Sequence, residues 1–310
     1  MDLRIVPGSG SAALATAMAA RLGVAPVACT VERFPDGELR PRVGPVHGAD
    51  VYVVQSTGPP VDERLVELLL LLDACRRGGA GRITAVVPYF GYARQDRRTR
   101  AGEALGARLC ADVLTAAGAH RLVVVDPHTS GLESMFAIPV VMLTAVPLLT
   151  RELVDLLPAT AVVVAPDLGA VALAEHVAAR LDRPVAAVRK TRLSGTSVRA
   201  RELAGDVQGR PVLVVDDMIS TGATIGAATD LLLSRGAARD VTVAAVHGPL
   251  VPDAIERLKR LPLRLVLVTD TALAVPAAPP VRVCPTAGLL GDAVGRLHHG
   301  EPLDDILART

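Results

Sequence analysis

Short runs rich in Val, Ile and Leu, at 51–54, 83–87, 122–125, 161–165, 212–215, 241–246 and 265–268, are what most restrict the folds open to this chain. A strand with one wet face alternates apolar and polar residues. These runs are apolar at successive positions, the pattern of parallel strands covered on both faces by helices. The segments between them, 60–77, 103–117, 170–181, 224–235 and 252–260, have the length and composition of crossover helices. The alternation predicts an α/β fold with mainly parallel sheets flanked by helices.

The pattern also repeats. ITAVVPYFG and LVVVDPHTSG in the first half have counterparts in AVVVAPDLGA and VLVVDDMISTG in the second, each an apolar strand, a polar turn and then Gly. At 310 residues the chain is longer than a single core usually fills. Two similar domains are therefore expected, 1–145 and 146–285, with the boundary inside 142–148 and the last segment, 286–310, packing back on the first through a helix over 286–299. In open parallel sheets ligands collect outside the carboxyl ends of the strands, and several of the polar turns fall there.

Composition removes some function classes. Trp is absent and there are only 3 Phe and 3 Tyr, so the cores are built from Ala, Val and Leu, and the aromatic platforms on which nucleic-acid bases stack are missing. A formal charge of +1 gives no basic field, and no nucleic-acid partner is expected. Cys29, Cys75, Cys110 and Cys284 lie far apart without CxxC spacing, and residues 1–6 are too short and too charged for a signal peptide, which together predict a reducing, cytoplasmic setting. The most apolar run, 65–72, contains Glu67 and is bracketed by Arg64 and Asp73. It falls short of the roughly 20 residues a bilayer requires, so a buried helix is predicted there and no membrane partner.

The strongest local signal is VLVVDDMISTGAT, 212–224, where a buried strand ends in Asp216 and Asp217 and a helix is entered through Ser220, Thr221, Gly222, Ala223 and Thr224. Gly allows close backbone approach, while hydroxyls and helix-start N–H groups favour an anion, so the turn suits a phosphate. The acids cannot bind phosphate and suit sugar hydroxyls or a metal instead. The plainer alternative is a helix cap with acids beside it. That needs one capping residue and leaves a double acid before a five-residue cradle without a purpose. This stretch resembles the phosphoribosyl-diphosphate loop shared by type I phosphoribosyltransferases and ribose-phosphate diphosphokinases.

The first half chooses between them. FPDGE, 34–38, and YFGYARQDRR, 89–98, resemble the segments that form the ATP site of the diphosphokinase family. That resemblance implies two phosphoribosyltransferase-like domains, ATP contacts from Asp36, Gly37 and Glu38, Phe34 against the adenine, and Arg94 and Gln95 on adenine and phosphates. It also implies a homo-oligomer, because in that family the two segments come from different subunits. Taken alone, PDG is a common turn and RQDRRTR a solvated basic loop.

His128 and Asp167 each follow a buried strand, where a hydrogen-bonded structural His and a helix-capping Asp are the ordinary roles. By resemblance they are the family's magnesium-site residues, sharing Mg²⁺ with water and substrate oxygens. RKTRLSGTSVRA, 189–200, has the composition of a mobile loop after a strand at 185–188, or of a basic surface hairpin. In the family the matching loop closes over the reactants, which makes Lys190 the main catalytic residue with Arg192 beside it, also on ribose 5-phosphate. Three places depart from common bacterial members. KTR stands where they have KRR, ISTGAT stands where they have DTAGT, and HTSGLESMF after His128 is unlike the usual sequence. The first two look like archaeal-type members. The resemblance implies transfer of the terminal diphosphate of ATP to ribose 5-phosphate. The alternatives are a non-catalytic regulatory subunit of the same family and a phosphoribosyltransferase.

Overall fold

In a computed structural model the described residues are 1–192, 198–272 and 278–308. The chain divides into two compact units, Met1–Thr144 with Thr286–Thr310, and Ala145–Pro285.

The first unit begins with β1 (Leu3–Pro7), α1 (Ala12–Arg21) and an antiparallel ribbon of β2 (Cys29–Arg33) and β3 (Leu39–Val43). It continues through β4 (Asp50–Val54), α2 (Val61–Arg77), β5 (Arg82–Val87), α3 (Gly106–Ala117), β6 (Arg121–Val125) and β7 (Val140–Leu143). The sheet order is β1-β4-β5-β6-β7, all parallel. Every residue of β4 is buried, as its uninterrupted apolar run requires. The apolar run 65–72 lies inside α2, where Leu68, Leu71 and Leu72 are fully buried. Asp62 and Glu63 in the first turn of α2 and Arg76 and Arg77 in its last complement the helix dipole. Buried Glu67 accepts the Ser9 N–H at 2.6 Å and pairs with Arg64 at 3.2 Å, so its charge is satisfied at the start of α1.

The second unit contains α4 (Val146–Leu153), β8 (Val162–Ala165), α5 (Val171–Leu181), β9 (Val185–Arg192), β10 (Val198–Ala204) and β11 (Val212–Met218). It ends with α6 (Ala223–Ser234), β12 (Val241–His247), α7 (Pro252–Lys259), β13 (Leu263–Thr269) and β14 (Val281–Cys284). Its sheet order is β10-β9-β8-β11-β12-β13-β14, parallel except for β10. The chain then returns to the first unit as α8 (Ala287–His299). His298 of α8 meets the buried carboxylate of Asp50 at 2.8 Å, and Arg82 grips the same carboxylate with two N–H groups at 2.7 and 2.5 Å. That shared acid ties the last helix to the first sheet.

Two differences from the predicted elements have clear causes. The helix expected at 103–117 begins only at Gly106, because the Glu103 carboxylate accepts the backbone N–H groups of Thr99 and Arg100 at 2.7 and 2.9 Å and closes a separate turn. The strand expected at 185–188 runs on as β9 to Arg192, because β10 returns antiparallel against it with Lys190 opposite Ala200, which is the hairpin alternative for 189–200; residues 193–197 lie outside the described residues. The runs of apolar residues do not predict β1, β2, β3, β7 or β14.

Candidate functional site

In the second unit the strand order reverses beside β8: the chain goes outward to β9 and later returns on the other side as β11. Connections that leave adjacent strands in opposite directions open a crevice at their carboxyl ends, where open parallel sheets take ligands. The turn carrying Asp167 leaves β8 at this point, and the turn carrying Ser220–Thr224 leaves β11. The first sheet runs in one direction, β1-β4-β5-β6-β7, and has no such reversal.

Asp216 and Asp217 are still on β11, whose ladder with β12 continues to Met218 beside His247. Asp216 is only 9% exposed, and its Oδ1 accepts the Asp217 N–H at 2.9 Å. Burial first, then repulsion from Asp217 and from Asp167, pushes the Asp216 carboxyl up to about 8. The turn that follows is fastened from outside: the Ile219 N–H bonds His247 O at 2.9 Å, and Ser220 O accepts the Val251 N–H at 3.1 Å. Gly222 stands in the left-handed region at φ 73 as N-cap of α6 and makes no side-chain cap itself. Ala223 N–H bonds Thr221 Oγ1 at 3.3 Å. Backbone can therefore close on a phosphate here, and Asp216 and Asp217 precede it at the strand end.

Because the folded-state pKa of Asp216 lies above its unfolded value of 3.8, protonation favours the fold. The stability this group contributes is fully present below about pH 4 and is lost as pH rises through about 8. Asp216→Asn removes the ionisation while keeping the shape. Without ligand, the variant is expected to melt on the order of 5 °C above the parent at pH 8.5 and level with it near pH 4, read by thermal melts across that range. An unchanged gap at both ends would contradict the assignment.

Asp167 caps a 3-10 turn at Leu168–Ala170, its Oδ1 accepting the Gly169 N–H at 3.0 Å. It fills the ordinary capping role and still presses its charge on Asp216. Lys190 and Arg192 stand two positions apart on β9. Their side chains lie outside the described residues.

In the first unit, 34–38 is the turn between β2 and β3. It is closed by Gly37 N–H to Phe34 O and Phe34 N–H to Glu38 O, both at 2.9 Å, with Gly37 at φ 101. Asp36 Oδ1 accepts the Glu38 N–H at 3.2 Å. Phe34 is 40% exposed, with the Arg40 guanidinium 5.0 Å from its ring centroid. The ring is thus partly exposed at the tip with a cation over one side of it.

The segment 89–98 leaves β5 and folds back on the end of β4. Thr57 Oγ1 donates to Tyr89 O at 3.0 Å and accepts the Gly91 N–H at 2.7 Å. Tyr92 turns the chain at φ 65, its carbonyl takes the Gln95 N–H at 2.8 Å, and Arg94 and Gln95 are left exposed. His128 is exposed just past Asp126, which sits at φ 34. Among the described residues only Tyr92, Asp126 and Asp182 are non-glycines with positive φ. Two of those three strained positions fall in predicted site segments, and such strain costs about 1–3 kcal/mol each.

Thr57 went unnoticed in the sequence, although a signal exists: QSTG at 55–58, between β4 and α2, parallels ISTG at 219–222, between β11 and α6. Asp62, Glu63 and Arg33 also touch these segments and carry no local signature. A cavity of about 600 Å³ between α1 and α8 is lined by Arg21, Gly291, Asp292, Gly295, Arg296 and His299, and none of the predicted site residues borders it. Its arginines are already paired, Arg21 with Asp292 and Arg296 with Asp305.

Residues 3–118 match the family described as the N-terminal domain of ribose phosphate pyrophosphokinase, and residues 155–260 match the phosphoribosyl transferase domain. The ribose-phosphate pyrophosphokinase of Caldanaerobacter subterraneus subsp. tengcongensis is 40% identical over 304 residues, 96% of each chain. That of Gloeobacter violaceus is 40% identical over 300 residues, 96% of this chain and 90% of its own. Among solved structures, phosphoribosylpyrophosphate synthetase from Mycobacterium smegmatis is similar with a TM-score of 0.89 at 39% identity, covering 97% of this chain and 100% of that one. The two α/β units are therefore phosphoribosyltransferase-type domains, and with likeness running from end to end the chain belongs to the ribose-phosphate pyrophosphokinase family.

Proposed function

We propose that this chain is a ribose-phosphate diphosphokinase, transferring the β,γ-diphosphoryl group of ATP to the C1 hydroxyl of ribose 5-phosphate and giving 5-phosphoribosyl 1-diphosphate and AMP. The observation that carries the reading is the end of β11, where carboxyls precede a glycine-capped helix start at the crevice beside β8. One such turn can hold both ends of a phosphorylated pentose. Ser220, Thr221, Gly222, Ala223 and Thr224 receive the 5-phosphate, while Asp216 and Asp217 accept hydrogen bonds from the ring hydroxyls. Phe34, Asp36, Gly37 and Glu38, with Arg94 and Gln95, take the nucleotide. Arg offers phosphate a fixed fork of donors, and Phe offers adenine a flat face. Lys190 and Arg192 contact the β-phosphoryl oxygens as charge shifts toward the leaving AMP.

Mg²⁺ fits the chemistry of the second unit. Burial first, and then the negative charge of Asp217 and Asp167, pushes the Asp216 carboxyl up, and a divalent cation nearby would relieve the repulsive part. Among the described residues no group of three or more His, Cys, Asp or Glu forms a ready cage. A partial set suffices, since Mg²⁺ usually keeps waters and substrate phosphates as most of its ligands. Asp167 would supply a protein ligand in the second unit, and His128 would do so separately in the first. Bound Mg²⁺ would neutralise phosphate charge.

The reading includes a homo-oligomer with an ATP site shared between subunits and a cytoplasmic place. The four cysteines, all unpaired in the structure, fit reducing surroundings. Among the described residues no helix is long and apolar enough to cross a membrane. The test is AMP release from ATP, which is expected to require ribose 5-phosphate and Mg²⁺ and to yield the activated sugar in equal amount. Absence of AMP release, or formation of a nucleotide from a free base and the activated sugar, would overturn it.

A further inference from the structure

The two nucleotide-facing segments of the first unit, 34–38 and 89–98, are far apart in sequence, yet both are fastened to the same turn of the same helix. Tyr92 Oη donates to Asp62 Oδ1. Arg33 Nη2 donates to Glu63 Oε1 at 2.6 Å, and the same guanidinium donates through Nη1 to Gly37 O at 2.7 Å. Asp62 and Glu63 are consecutive residues in the first turn of α2. The helix is a firm base for them, because Leu68, Leu71, Leu72 and Cys75 further along it are fully buried in the core of the unit.

Each tie acts where its segment changes direction. Tyr92 is the left-handed residue whose carbonyl receives the Gln95 N–H, so the bond from its hydroxyl fixes the turn that sets out Arg94 and Gln95. Arg33 holds the carbonyl of Gly37, the residue at φ 101 on which the 34–38 turn closes. We propose that Asp62 and Glu63 form a bracket that positions both segments, and so set the affinity for ATP without touching it. This rests on the ATP role given to those segments above.

Acids in a first turn also complement the helix dipole, and that simpler role accounts for their charge but not for what they hold. The experiment separates the two. With Asp62→Ala and Glu63→Ala combined, the bracket requires KM for ATP to rise about 10-fold, equivalent to about 1.4 kcal/mol, while KM for ribose 5-phosphate and kcat at saturating ATP stay within about twofold. Tyr92→Phe removes one tie without altering the helix and is expected to give no further rise when added to Asp62→Ala. Asp62→Asn keeps an acceptor for the tyrosine hydroxyl but no charge. The bracket predicts rescue by this variant, and the dipole role predicts none.

An unchanged KM for ATP, an equal rise in both KM values, or additive Tyr92 and Asp62 effects would each overturn the bracket. Direct titration with ATP keeps this apart from the catalytic reading. A parent protein that binds ATP but releases no AMP sinks the diphosphokinase assignment alone, and the bracket is then judged by whether the double variant binds ATP about 10-fold more weakly. Failure of the parent to bind ATP overturns both.

Discussion

Lys190→Ala is expected to lower turnover by at least about 100- to 1000-fold, the cost of removing one preorganised donor from a developing charge. Binding of ribose 5-phosphate should change by no more than a few-fold, since the cradle at 220–224 and the acids on β11 are untouched. Structure makes that separation reasonable. Lys190 is on β9, which neighbours β8 and is one strand removed from β11, so its removal does not disturb the ladder joining β11 to β12. Lys190→Arg should recover only part of the loss, because a planar fork does not present charge as a compact ammonium does. Steady-state AMP release and a separate ribose 5-phosphate titration give the two readings. Near-normal turnover in the Ala variant would remove Lys190 from the chemistry, and a matching collapse of sugar-phosphate binding would move it to the substrate cradle.

The parts of the molecule legible from sequence were those where one local rule dominates. Runs such as 51–54 and 212–215 carry no charged or alternating polar residue because β4 and the body of β11 are buried on both faces, and this pattern alone identifies them. The ribbon strands β2, CTVER, and β3, LRPRV, are only partly buried and carry charged side chains outward, so their turn stood out while the strands did not. At β9 and β10 composition left a loop and a basic hairpin both open, and the antiparallel ladder between the two strands decides for the hairpin. Within the site, the cradle after β11 is a contiguous motif and could be read directly. The upward shift of the Asp216 carboxyl could be read only in part, since besides its neighbour Asp217 it arises first from burial and also from Asp167, 49 positions earlier in the chain. Asp62 and Glu63 were invisible for a related reason: each acts through a bond to a residue 30 positions away, and no spacing rule records such a bond.

Gly91→Ala should cost the first unit about 1–3 kcal/mol, as steric overpacking does, and lower its melting temperature by roughly 5–10 °C. A Cβ on Gly91 would stand 2.6 Å from the backbone oxygen of Thr57 and 2.9 Å from Val61 Cγ1. Neither is the end of a flexible side chain: Thr57 is bound through its own N–H and Oγ1 to Tyr89 O, and Val61 is the first residue of α2. The extra methyl must therefore push 89–98 away from β4. That breaks the 2.7 Å bond from Gly91 N–H to Thr57 Oγ1 and shifts the Tyr92 turn that sets out Arg94 and Gln95. ATP affinity should fall together with stability, while ribose 5-phosphate binding in the other unit is retained. Gly288→Ala is the matching control, because its Cβ meets nothing within 4 Å and the residue lies near the start of α8. It is expected to be neutral or to stabilise by up to about 1 kcal/mol through helix propensity. Equal melting temperatures for the two variants would show that the close approach of 89–98 to β4 does not hold the nucleotide segment in place.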